Sequence, residues 1–149
     1  MSIHKLDTKV FLGQKAFIEK GGKVLVLKDP TKLVLGQAGL DFPGGKYRWG
    51  HPLEAELKRE VKEETNLEIE IGRPFCIWTT NGTRRKTKNA HIVLIGFLCK
   101  YKSGKVRLSD EHVEYEWVDE NTYTKWKEST EYFEALKKYF KFWVRSSVG

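Results

Sequence analysis

Three glutamates lie close together on one predicted helix, in the segment 59–64, which reads REVKEE. At about 100° per residue, Glu60 and Glu64 are about 40° apart and Glu63 is about 60° from Glu60, so the three carboxylates share one quadrant. Like charges at this spacing repel each other. A hard divalent cation such as Mg²⁺ relieves that repulsion, since it prefers oxygen ligands and also binds phosphate oxygens.

The same helix, predicted from Pro52 to about Thr65, carries an apolar stripe. Leu53, Leu57 and Val61 recur every four residues, which is typical of the buried face of a helix. The carboxylates border this stripe, where water screens them poorly and protons or a cation must neutralise them. A solvated charged helix is the alternative, because the segment also contains ion-pair spacings.

The rest of the chain alternates between apolar strands and turn residues. The predicted strands are Val10 to Glu19, Lys23 to Lys28, Leu67 to Thr79, His91 to Tyr101 and Val113 to Val118. Asp29-Pro30 is expected to break the second strand, and a second amphipathic helix is expected from Ser129 to Trp143. This order predicts an α/β fold, with a mixed β-sheet flanked by helices in an α/β/α sandwich.

Composition limits the class of protein. The chain has 149 residues, 40% of them hydrophobic, which fits one domain over residues 1–149 with a frayed tail from about 144. We find no apolar run long enough for a membrane span and no secretory signal at the N-terminus. Cys76 and Cys99 lie in apolar segments and are expected to be reduced thiols of a cytoplasmic protein.

The chain is basic, with a net charge of +7, which favours anionic partners such as phosphates of a small molecule or of RNA. One basic run contains Arg84, Arg85, Lys86 and Lys88. The alternative is that these side chains are only the solvated tip of a loop.

Residues 45–67 resemble the box of the Nudix hydrolase family, G-x5-E-x7-R-E-U-x-E-E-x-G-U, where U is apolar. Seven of the nine specified positions fit, and Pro43-Gly44 resembles the family's lead-in. The fitting positions are Gly45, Arg59, Glu60, Val61, Glu63, Glu64 and Leu67. The pattern is long and its spacing is rigid, which makes it specific.

The resemblance implies hydrolysis of a nucleoside diphosphate linked to another group, with Mg²⁺ as cofactor and Mn²⁺ as a substitute. Glu60 and Glu64 match the main metal ligands, and Glu63 matches a further ligand or a catalytic helper. Arg59 matches the arginine that orients a glutamate. The carbonyl of Gly44 matches a backbone ligand of the metal.

Two positions depart from the box. His51 replaces its first glutamate, and an imidazole cannot repeat a carboxylate–arginine pair, so weaker activity or an altered second metal site is expected. Asn66 replaces the glycine at the helix end. Since asparagine tolerates positive φ, this second departure is mild.

A general base outside the box is expected in the segment 109–112, which resembles a later loop of some family members. Glu111 is our candidate for base and metal ligand, with Glu114 second. The alternative is that Glu111 is an ordinary loop charge. His112 is interpreted as a loop residue.

Aromatic and basic side chains are the candidates for binding substrate. Trp49, Trp78 and Tyr47 are candidates for stacking on a base, while Arg84 and Arg85 are candidates for holding phosphate oxygens. For each aromatic residue the alternative is core packing. Trp117 and Trp143 are assigned to the core.

The leading hypothesis is therefore a pyrophosphohydrolase for a small nucleotide, for instance a modified nucleoside triphosphate. Two alternatives are an RNA 5′-end hydrolase, which predicts strongly salt-dependent affinity, and a nucleotide-binding module that His51 has made inactive. A homodimer is compatible with each of them.

Overall fold

The computed structural model describes residues 9–34, 36–82, 90–127 and 130–143. The elements follow in this order: β1 (Val10–Lys20), β2 (Lys23–Val34), β3 (Gln37–Asp41), β4 (Gly44–Lys46), α1 (Leu53–Thr65), β5 (Glu68–Asn81), β6 (His91–Ser103), β7 (Glu114–Val118), a 3₁₀ helix (Tyr123–Trp126), α2 (Thr130–Lys138) and a π-helical turn (Tyr139–Trp143). The five predicted strands and the first helix are confirmed. The tail from 144 lies outside the described residues.

The strands form one mixed sheet with the order β3-β2-β1-β6-β5. β1 and β6 are parallel, whereas the other pairs are antiparallel. β1 and β2 pair next to their hairpin, where Glu19 faces Val24. Farther along, β1 pairs with β4, while β2 pairs with β3 and β7. Because β1 and β2 pair with different strands beyond their hairpin, polar side chains from several strands can meet beside β4.

Each face of the sheet carries its own apolar core. Ala16 and Ile18 of β1 pack in the cluster that contains Leu57 and Val61 of α1. Phe17 of β1 points the other way, into an aromatic cluster with residues of α2. Since successive side chains of a strand point to opposite faces, α1 and α2 cover opposite faces of the sheet. The predicted α/β/α sandwich is thus confirmed.

Two local predictions about β2 and α1 are wrong. Asp29-Pro30 does not end β2, which continues to Val34; the pairing with β3 shifts register between Asp29 and Leu33, and such a bulge tolerates a residue without an N–H. Leu53 is 38% exposed, because it lies at the first turn of α1, where the helix has only begun to cover the sheet.

The two helices end in different ways at their C-termini. Asn66 adopts φ 68° and caps α1, as its predicted tolerance of positive φ allows. The second helix departs from the prediction, because α2 ends at Lys138 and a π-helical turn completes the segment. Trp117 is partly buried against the core on the α1 side, whereas the side chain of Trp143 lies outside the description. In the described part of the chain, no helix is both long and apolar enough to span a membrane.

Candidate active site

Two glycines of β4, the strand before α1, contact both β1 and the glutamates of that helix. Gly44 has φ 134°, and a Cβ there would lie 2.1 Å from the carbonyl oxygen of Gln14, so only glycine fits. The N–H of Gly44 donates to Oε1 of Glu64 at 2.7 Å. A Cβ on Gly45 would lie 2.9 Å from Oε2 of Glu60. Gly45 therefore makes room for the Glu60 carboxylate, while Gly44 packs against β1 and donates its N–H to Glu64.

Glu60 and Glu64 are the two carboxylates of α1 that face the cavity beside β4. Both line one cavity of about 400 Å³, and Glu64 is only 5% exposed. Burial raises the pKa of Glu64 well above its usual value and also raises the pKa of Glu60. In each case burial outweighs the lysine or arginine nearby, so the ionised carboxylate is disfavoured unless a further cation binds beside it.

Arg59 connects the glutamates of α1 to one another. Its guanidinium lies 2.7 Å from Glu60, 2.8 Å from Glu63 and 3.1 Å from Glu56. Glu56 also binds Arg48 through two hydrogen bonds of 2.9 and 2.8 Å, and these bonds together with those from Arg59 hold the pKa of Glu56 well below its usual range. The Arg48–Glu56 pair was not predicted from the sequence, because Arg48 lies in the loop that precedes the helix.

The loop that carries Glu111 is fastened beside Glu64. The N–H of Ser109 donates to the carbonyl of Glu64 at 3.1 Å, and the N–H of Val113 donates to the carbonyl of Lys28 at 3.1 Å. Glu111 lines the cavity, and its carboxylate, that of Glu64 and a ring nitrogen of His112 all lie within 4.8 Å of one another. The second candidate, Glu114, instead forms a 2.7 Å ion pair with Lys28 at the surface.

A second charged network is centred on Asp41. Its Oδ1 lies 3.0 Å from Nζ of Lys15 and 3.1 Å from Nζ of Lys32, and its Oδ2 lies 2.9 Å from Nε2 of His112. Burial alone would raise the pKa of Asp41, but the two lysines and His112 hold it well below its usual value. Burial likewise opposes the charge of Lys15, yet attraction to Asp41 and Glu64 raises its pKa. Burial prevails at Lys32, whose pKa falls to about 8.

The opposite wall of the cavity contains an aromatic ring. Tyr132 of α2 lines the cavity together with Thr80 and Asn81 at the end of β5. The ammonium of Lys32 lies 3.7 Å from the centre of the Tyr132 ring, a cation–π distance. Tyr132 was not predicted from the sequence, because an aromatic residue in an amphipathic helix has no signal that separates a cavity wall from core packing.

Neither of the two predicted tryptophans lines the cavity. Trp78 is 9% exposed and packs edge-on against Phe17 and Tyr132; the assignment to stacking is corrected, because the residue faces inward on β5. Trp49 is 92% exposed and is not among the cavity residues. Arg84 and Arg85 lie outside the described residues.

Tyr47 and His51 contact each other in the segment just before α1. The Tyr47 hydroxyl donates to the backbone carbonyl of His51, so the contact does not depend on the imidazole. His51 is exposed and is absent from the cavity lining. The missing box glutamate thus changes a surface position, while the buried carboxylate beside Arg59 is Glu56.

Comparisons with known proteins agree with this fold. The chain is 28% identical over 108 residues to an ADP-ribose pyrophosphatase from Methanocaldococcus jannaschii, covering 72% of this chain and 61% of that protein's length. A MutT protein from Methanosarcina mazei has a similar structure, with a TM-score of 0.71 and 24% identity over 91% of this chain and 98% of the other. A Nudix hydrolase from Nitrosomonas europaea also reaches 0.71, with 18% identity over 90% of this chain and 72% of the other.

The family model of the Nudix domain matches residues 16–139. The match includes β1 from Ala16 onward, the glycines of β4, α1 and all of α2. Because it covers most of the chain, the protein belongs to the Nudix domain family.

Proposed function

We propose that this protein hydrolyses a pyrophosphate bond in a nucleoside-diphosphate-linked compound, with Mg²⁺ or Mn²⁺ as cofactor. The observation that carries the proposal is the convergence of Glu60, Glu64 and Glu111 on one cavity. Two of them come from α1 and the third from a distant loop. Family membership and the likeness to a protein named ADP-ribose pyrophosphatase support the same reaction class.

The residues of the cavity fit a hard divalent ion. Glu64 and Glu111 offer oxygen ligands within 4.8 Å of each other, and Glu60 packs against Gly45 in the same cavity. Gly44 also lines the cavity, and its carbonyl accepts a hydrogen bond from Nζ of Lys15 at 3.3 Å. Oxygen donors of this kind suit Mg²⁺. When bound there, the ion would neutralise phosphate charge and lower the pKa of the attacking water.

The chain's own side chains would do the remaining work. Glu111, on an exposed loop that lines the cavity, accepts a proton from the attacking water as general base. Arg59 fixes the direction of the Glu60 carboxylate. Glu63 contributes through Arg59, because its carboxylate is exposed and bound to that guanidinium. Lys46 and Arg48 line the cavity and supply positive charge for the pyrophosphate oxygens.

The cavity suits a small nucleotide. Its volume of about 400 Å³ lies in the ordinary range for small-molecule sites, roughly 300–1,000 Å³. ADP-ribose is one candidate, because of the named relative, and a nucleoside triphosphate is another.

The reducing cytoplasm expected from the sequence is compatible with two free, buried cysteines.

The experiment is a hydrolysis assay over ADP-ribose, nucleoside triphosphates, dinucleoside polyphosphates and capped RNA, with Mg²⁺, Mn²⁺ or EDTA. Wild type is compared with Glu64→Gln and Glu111→Gln. Glu54→Gln is the matched control, since Glu54 is an exposed glutamate of the same helix. We expect metal-dependent turnover that falls at least about 100-fold in the first two variants, because changes of residues that only support metal ligands already cost about 10–100-fold.

The outcomes separate the hypotheses. Turnover of capped RNA alone would replace the small-molecule substrate by an RNA end. Nucleotide binding without turnover under any metal would replace the enzyme by a binding module. Equal turnover in wild type and Glu64→Gln would contradict the assignment of this glutamate to the metal.

A further inference from the structure

Two groups of metal-binding side chains overlap in this protein. The first consists of Glu64, Glu111 and His112, and the second of Asp29, Asp41 and His112. His112 belongs to both groups. The second group is entirely buried, and a carboxylate, carboxylate and imidazole set of this kind is able to bind a divalent transition metal.

In the second group, two ammonium groups already stand where a cation would bind. Nζ of Lys15 and Nζ of Lys32 lie 3.0 and 3.1 Å from the same Oδ1 of Asp41, and Nζ of Lys32 is also 3.9 Å from Oδ2 of Asp29. The lysine side chains are only 8% and 16% exposed. Two ammonium charges equal the charge of one divalent ion, so they neutralise the two aspartates.

The same contacts fix the shared histidine. Oδ2 of Asp41 lies 2.9 Å from Nε2 of His112, and the histidine is 5% exposed. Asp29 is held in turn, because its Oδ1 accepts from the N–H of Thr31 at 2.8 Å and from the hydroxyl of Thr31 at 2.7 Å. A metal entering this group would have to displace both ammonium groups from a buried carboxylate.

We propose that Lys15 and Lys32 are positioning residues that take the place of a divalent ion at Asp29, Asp41 and His112, and thereby confine metal binding to the glutamate side of the cavity. This inference rests on the proposed function only for the identity of that glutamate side. The lysines act through Asp41, which connects β3 to the loop of Glu111.

The test asks whether removing the lysines opens a new metal site. Lys15→Met/Lys32→Met keeps side chains of similar length without the charges, and both it and wild type are titrated calorimetrically with Co²⁺ alone. We expect the double variant to bind one more Co²⁺ per chain than wild type, and this extra site to disappear when Asp29→Asn is added. If the double variant folds only after Co²⁺ is added, and Asp29→Asn prevents that folding, the inference is equally supported.

A folded double variant that binds the same number of Co²⁺ ions as wild type would overturn the proposal. A second arm keeps both lysines and removes the glutamate side with Glu60→Gln/Glu64→Gln. This variant should bind no Co²⁺ stoichiometrically. Stoichiometric binding that Asp29→Asn abolishes would show that the lysines do not close the aspartate group, whether or not the lysine variant folds.

The two proposals fail in distinguishable ways. If wild type binds no metal and hydrolyses no substrate, the proposed function fails. If the double-lysine variant nevertheless gains an Asp29-dependent Co²⁺ site, the role of the lysines stands.

Discussion

The two charged networks of this protein are built in opposite ways. In the network of α1, Arg59 reaches Glu56, Glu60 and Glu63, each about one helical turn or less from it along the chain, and Glu63 is 58% exposed. In the network of Asp41, the partners come from distant segments; His112 lies 71 residues away, and the Asp41 side chain is 3% exposed. The first network is local and partly exposed, whereas the second is long-range and largely buried.

This difference in sequence separation and burial predicts that mutations in the two networks have different effects. A solvated ion pair contributes little to stability because water screens it and competes for its groups. A buried charge with several partners is costly to strip of one of them. We therefore expect changes in the Asp41 network to affect folding first, and changes in the α1 network to affect metal binding first.

The largest expected effect is that of Asp41→Asn. It leaves the buried Lys15 and Lys32 without their shared carboxylate, so the free energy of unfolding should fall by about 3–5 kcal/mol. Urea denaturation would measure the loss. Asp110→Asn, the same change at an exposed position, should leave the midpoint unchanged; equal effects of the two variants would erase the contrast between the networks.

The next effect is that of the metal and its dependence on pH. The pKa values of Glu60 and Glu64 are raised in the folded chain, so without metal the stability of their protonated forms is present below the unfolded pKa and is lost as pH rises through the folded pKa. Metal favours the ionised forms, and at 100 times its Kd it should add about 2.7 kcal/mol.

Melting temperatures with Mg²⁺ and with EDTA, measured from about pH 5 to about pH 8, would test this dependence. The shift produced by Mg²⁺ should grow as pH rises and should vanish in Glu64→Gln. A shift that is largest at the acidic end would mean that the metal does not bind these carboxylates.

A smaller effect is expected from Glu56→Gln. The change removes the carboxylate that Arg48 and Arg59 share, so Arg59 is left to pair with Glu60 and Glu63, and Glu60 becomes less available to metal. Mg²⁺ affinity should fall about 10-fold, as for other residues that orient a metal ligand. Calorimetric titration beside Glu54→Gln would measure it, and unchanged affinity would make the network purely structural.

The smallest effect is expected from His51→Glu, which restores the box residue. Position 51 is exposed and its contact with Tyr47 uses the backbone carbonyl, so the free energy of unfolding should change by less than about 0.5 kcal/mol. A matching change in the barrier alters kcat/KM by only about 2-fold. A gain of tenfold or more would show that the missing carboxylate limits this protein.

Several features of the fold and the site could be predicted because they are local. A helical period placed Glu60, Glu63 and Glu64 on one side of α1, and the buried neighbours Leu57 and Val61 put Glu64 beside the core. Apolar segments bounded by turn residues predicted β1, β2, β5, β6 and β7. The cap at Asn66 followed from asparagine being one of the few residue types besides glycine that adopt positive φ.

Other features had no local signal. Pro30 looked like a strand terminator, yet the register shift in β2 accommodates it. Trp78 is an aromatic residue of the kind that stacks on bases, but its side chain points inward from β5 and packs with Phe17 and Tyr132. A side chain's direction on a strand follows from pairing and register, which the residue type does not determine.

The sequence by itself determined the family resemblance, the sandwich of helices around a mixed sheet and the glutamates of α1, because periodicity and box spacing are short-range properties of the chain. Only the tertiary structure decided which further charges share the cavity. Lys15, Asp41 and His112 are far apart in sequence, and each alone resembles an ordinary strand or loop residue. They meet because β1 and β2 separate beyond their hairpin, and because a buried charge is stable only where the fold supplies its partners.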